Sequence, residues 1–125
     1  MKIAVLIARV LLGLIFLIFG LNGFLNFIPA QLPSGLAGQF LTALIQSHYI
    51  IFISVVYVAG GVPLLINRYV PLGLVLLGPV IVNILAFHIF LAPSQVGMAV
   101  LVALMWGVVT FYHRQYFTSL FVQKA

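Results

Sequence analysis

The chain has 125 residues, of which 66% are apolar and 4% charged, and its mean hydropathy is +1.38. A soluble domain carries about 25% charged residues; this chain has nothing with which to cover a water-facing globule, so it reads as an integral membrane protein. With no Asp or Glu and no Cys, paired-carboxylate catalysis, Mg²⁺ or Ca²⁺ cages, carboxylate proton relays, disulfides, thiolate nucleophiles and iron–sulfur ligation are all excluded within it.

In chain order, the first apolar run covers residues 3–27, about 37 Å as a helix and enough to cross a bilayer with some tilt. A signal peptide is the competing reading, because Lys2 precedes the run. The run is longer than the roughly 7–15 residues of a signal h-region. It is also broken by Arg9 and ends in Asn26-Phe27-Ile28-Pro29 rather than in a small-residue cleavage pattern. An uncleaved first helix is therefore expected. The turn-rich stretch 28–35 follows, and beyond it Gln39, Thr42 and Gln46 fall on one side at helical spacing, with Leu36, Phe40 and Leu44 on another. This predicts a short amphipathic helix over 36–47 at the outer interface, the alternative being a simple extension of the second span.

The second span is read at 49–66 and, after Asn67-Arg68-Tyr69-Val70, the third at 71–91, with Pro71 at a helix-starting position. Ala92-Pro93-Ser94-Gln95 is the next break, and the fourth span covers 96–112. Phe117, Leu120 and Phe121 predict a tail helix within 113–125, resting on the inner surface beside the aromatics Phe111, Tyr112 and Tyr116. The predicted architecture is an all-α, four-helix transmembrane bundle forming a single domain over 1–125. Alternating helices place Lys2, Arg9, Arg68, Arg114 and Lys124 on one face, while 28–48 and 92–95 carry no Lys or Arg. By the positive-inside rule both termini are then cytoplasmic. Five scattered cations form no basic stripe, so the +5 charge and pI near 10.1 do not point to nucleic acid.

Lipid tails give no hydrophobic drive for helix association, so packing must come from close backbone approach. Arg9, Gly13, Phe16, Gly20, Gly23 and Phe27 form one stripe along the first helix, a packing face; Gly60-Gly61 with Pro63, and Gly78-Pro79, mark thinned and kinked places in the second and third. The polar residues inside the spans are Arg9, Asn22, Asn26, Ser54, Tyr57, Asn83 and His88. Each is costly in hydrocarbon unless partnered. With no carboxylate in the chain, Arg9 must snorkel, use carbonyls and lipid phosphates, or meet an acid on a partner subunit.

Four segments carry a family likeness: Ala8-Arg9-Val10-Leu11-Leu12-Gly13, Phe19-Gly20-Leu21-Asn22-Gly23-Phe24, Asn67-Arg68-Tyr69-Val70-Pro71-Leu72, and Pro79-Val80-Ile81-Val82-Asn83 continuing to Phe87-His88. Together they resemble the DoxX family of small four-helix membrane proteins over nearly the whole chain. The resemblance implies a four-helix bundle in a prokaryotic inner membrane, with relatives that are small subunits of thiosulfate:quinone oxidoreductases or parts of membrane redox complexes. By position, Arg9, Asn22, Asn83 and His88 match family motif residues. Two departures weaken any transfer of catalysis. Members often carry a Glu shortly before the glycine pair of the second helix, where this chain has Tyr57, and a Lys after the first-helix Asn, where it has Gly23.

Each candidate has two readings. His88, flanked by Phe87 and Phe90, either hydrogen-bonds a quinone carbonyl or is tied to Asn or backbone within the bundle; haem ligation with His48 is a further reading. Asn22 and Asn83 either bridge helices or line a site, and Tyr57 is either a phenol in a redox pocket or an aromatic filler. His113 is a solvated helix end. Arg9, Arg68 and Arg114 are lipid or partner contacts, and no metal site is expected. The favoured function is a non-catalytic accessory subunit of a larger membrane redox complex, its charge meeting acidic partner surfaces or anionic lipid. The alternative is a quinone-binding subunit using His88, Asn83, Asn22, Tyr57 and Phe87, with quinone as its cofactor. A transporter is a weaker third reading, since no intramembrane acid is present for ion coupling.

Overall fold

The computed structural model describes residues 2–25 and 34–121, and these form helices joined by tight turns. The helices are α1 Lys2–Leu25, α2 Gly35–Gln46, α3 Tyr49–Ile66, α4 Val70–Leu91 and α5 Val96–Tyr112. Four long apolar helices, counting the turn Pro93–Gln95 with α5, are long and apolar enough to cross a membrane, as an integral membrane protein requires. The α3 and α5 bounds agree with the hydropathy reading. α4 starts one residue early, because Tyr69 caps it in the left-handed conformation (φ 59°) and leaves Pro71 inside the first turn, where no N–H is needed. Asn26, Phe27, the 28–33 stretch and Lys124 lie outside the described residues.

The helices run antiparallel in the ring order α1–α3–α4–α5, α1 closing against α5. Leu12 and Phe16 of α1, Leu64 of α3, Leu74, Leu77 and Ile81 of α4, and Val102 and Val109 of α5 meet in the buried centre. Large apolar side chains such as Ile7, Phe52, Val82 and Leu104 are exposed on every long helix, the surface a lipid-facing bundle presents. The first-helix stripe is the packing face anticipated: Gly13, Phe16 and Gly20 are buried against α3. The antiparallel order also brings Lys2, Arg9, Arg68 and Arg114 to one end of the bundle among the described residues.

Two local expectations change. α2 exists, but the side turned inward is Ala37 and Gly38, while Leu36 and Phe40 are exposed and Thr42 is half-buried. Small residues let α2 approach α3 and α4 closely, which large apolar ones would prevent. The segment after α5 is not a continuous tail helix. It is wound into two short 3₁₀ turns, Arg114–Tyr116 and Thr118–Phe121. There Thr118 Oγ1 donates locally to the Gln115 carbonyl at 3.3 Å, the kind of side-chain bond that competes with α-helical winding.

Candidate functional site

At the basic end, Arg9 Nη1 donates across the bundle to the Leu64 carbonyl in the last turn of α3. The Arg68 N–H, which would take the Leu64 carbonyl in a continuing helix, goes instead to the Pro63 carbonyl at 3.2 Å. A cation therefore sits at a helix C-terminus, where the macrodipole favours it and an orphan carbonyl needs a donor. This helix end supplies what the absent carboxylates do not. Arg68 is exposed in the α3–α4 turn, and Arg114 donates from Nη1 to the Phe111 carbonyl at 2.9 Å with its guanidinium 4.4 Å from the Phe111 ring centre.

The contacts of Ser54, Tyr57, Asn83 and His88 are each with other groups. Ser54 is buried and its Oγ donates to the Ile50 carbonyl at 2.8 Å. A Cβ at Gly23 would overlap Ser54 Oγ, so a side chain at that position would require Ser54 to shift; the neighbouring Asn22 is half-buried and has a partner. Tyr57 packs edge-on against Phe16, ring centres 5.0 Å apart at 84°, and joins the edge of the apolar core. Asn83 is exposed on the outside of α4, its Nδ2 donating to the Pro79 carbonyl at 2.9 Å.

His88 is half-buried near the end of α4, opposite the basic turn, and its Nδ1 lies 2.8 Å from the Ile84 carbonyl. A carbonyl can only accept, so Nδ1 carries the proton, and in the neutral ring Nε2 is left as a lone-pair acceptor. Phe87 meets the His88 ring edge-on at 5.2 Å and the Phe40 ring of α2 at 5.6 Å. His88, Phe87 and Phe40 thus form one aromatic cluster between α2 and α4. Among the described residues no hydrogen bond or ring contact links this cluster to Tyr57 or Asn83. His48 is exposed in the left-handed turn ending α2 (φ 63°), and no group of three metal-ligating side chains occurs among the described residues.

A feature that sequence reading missed lies at the other end. Trp106 Nε1 donates to the Leu74 carbonyl at 3.0 Å, bridging α5 to α4, and beside it a groove of about 840 Å³ runs between these helices under the 3₁₀ turns. Thr110 and Arg114 line it too; the buried Thr110 Oγ1 has no partner among the described residues. The available signal was the spacing Trp106, Thr110, Arg114, which puts all three on one helical face. Comparison of the chain with protein-family models, with curated proteins and with solved structures finds no match.

Proposed function

We propose that the chain is a small accessory subunit of a larger membrane complex, itself non-catalytic. The observation that carries this reading is Asn83. It stands about 20 Å along a helix of about 33 Å, on the outer side of α4 among exposed Pro79 and Val82. An amide facing hydrocarbon at that depth is costly, and polar side chains of this kind join one membrane helix to another. Its Nδ2 bond to Pro79 leaves the Oδ1 acceptor for a partner helix. The local satisfaction of Ser54 and His88 by their own helices supports the same reading, as does the crowded position at Gly23, where the DoxX likeness would lead one to expect a Lys. The likeness supplies the redox character of the assembly and a prokaryotic inner membrane. The gathered cations supply the orientation, with the basic end cytoplasmic and α2 at the outer interface, and make acidic partner surfaces the natural complement.

A photoreactive residue at position 83, in native membranes, tests the reading. A discrete protein adduct there, and none from position 104, which is also exposed, is the expected result. Lipid adducts alone at both positions would refute it.

A quinone-linked second reading is favoured by one feature, the His88 Nε2, which takes no hydrogen bond among the described residues, beside Phe87 and Phe40. With Nδ1–H committed to Ile84, neutral His88 accepts a hydrogen bond rather than donating one, so it suits the hydroxyl of a reduced quinol and not a quinone carbonyl. Quinol retained by the purified protein and lost on His88→Ala would support this alternative; equal content in both proteins would remove it.

A further inference from the structure

The groove between α4 and α5 is lined mainly by apolar residues, with Thr110, Gln115 and Thr118 among them, and has a cation at its mouth. Val75 and Gly78 form one wall, Trp106 and Gly107 the other, and Arg114 stands where the groove reaches the end of the bundle. A Cβ at Gly107 would meet nothing within 4 Å, so bare backbone lines this part of the hollow. From Gly107 to Arg114 is about 10 Å along the helix direction. The contacts of Arg114 with the Phe111 carbonyl and ring hold its guanidinium at the mouth and commit only one N–H. Its remaining donors suit phosphate oxygens. None of the 125 residues has an acidic side chain, so no side chain of the protein supplies a counter-charge for this end of the bundle.

We propose that the groove binds one anionic phospholipid, with its phosphate on Arg114 and an acyl chain laid over Val75, Gly78 and Gly107. The bilayer supplies an amphiphile of this shape at this depth, with its charge at the interface and its chain inward.

The protein carries its own reporter, because Trp106 is its single tryptophan and lines the groove. The full chain would be reconstituted into phosphatidylcholine vesicles containing graded fractions of either dibrominated phosphatidylglycerol or dibrominated phosphatidylcholine, whose bromines quench tryptophan on contact. The anionic lipid is expected to reach half-quenching at about five-fold lower mole fraction, the preference one cation near the surface confers. Arg114→Gln should bring the two lipids to parity. Gly107→Leu, whose Cβ meets no neighbour within 4 Å, adds bulk at the hollow and should weaken quenching by both. Equal quenching by the two lipids in the parent protein, or a preference that survives Arg114→Gln, would overturn the headgroup assignment. Unchanged quenching in Gly107→Leu would place the quenching lipid outside the groove. Far-UV circular dichroism of each variant verifies that helicity is retained.

Discussion

Between α1 and α3, glycines stand where an added side chain would crowd its neighbours. A Cβ on Gly13 would come within 2.9 Å of Leu65 and 3.0 Å of the Gly61 carbonyl, and one on Gly61 within 3.0 Å of both the Gly13 carbonyl and the Leu17 nitrogen. Between α4 and α5 the contact is looser: a Cβ on Gly78 would stop 3.3 Å from the Trp106 ring, Gly107 faces nothing within 4 Å, and the pair is bridged by the Trp106–Leu74 hydrogen bond. In lipid, where apolar surface gains nothing by leaving the tails, backbone approach and hydrogen bonds must hold helices together. The first pair uses mainly approach. The second uses an indole and leaves a hollow that something from the membrane can occupy.

The sharpest way to break this contrast is Gly61→Val, whose added carbons meet backbone atoms that cannot turn aside. Overpacking of this kind costs about 1–3 kcal/mol or more, and thermal unfolding in detergent should show a clear loss of stability. Arg9→Leu tests the polar end of the same seam. It strands the Leu64 carbonyl, at a cost of about 1–3 kcal/mol, read by the same unfolding assay. In the α4–α5 pair the effects should be smaller. Trp106→Phe keeps a ring and loses the indole donor, about 0.6 kcal/mol by the average for hydrogen bonds between membrane helices. Smallest of all, Gly107→Leu should leave stability within about 0.5 kcal/mol, as expected where a new side chain enters open space. If Gly107→Leu destabilised as much as Gly61→Val, the two seams would not differ as described.

Much of the helical frame was legible from residue order alone. The α3 and α5 bounds follow from hydropathy between Pro, Asn and Gln breaks, and the α4 start is displaced only because Tyr69 takes a left-handed cap that few bulky residues adopt. The inward side of α2 was not legible, since a scale of hydrophobicity ranks Leu36 and Phe40 above Ala37 and Gly38 although close packing favours the small pair. The polar residues were legible as unusual but not as to partner. Ser54, Asn83, His88 and His113 each turn to the carbonyl four residues earlier in their own helix, an option that composition and spacing leave equal to reaching a neighbour. The Arg9 contact was one of several alternatives. Only the antiparallel seating of α1 on α3, with Pro63 taking the Arg68 N–H, selects the Leu64 carbonyl.

Orientation, depth and partner all rest on four crossings that collect the cations on one side of the bilayer. The natural chain has no cysteine, so a single introduced thiol reports one position without background. Ser94→Cys and Arg68→Cys, both at exposed turn residues at opposite ends of the bundle, would be treated with a membrane-impermeant maleimide in intact cells and again after permeabilisation. Labelling of Cys at position 94 in intact cells, with position 68 reacting only once the membrane is opened, is the predicted result. Labelling of both positions in intact cells would contradict it.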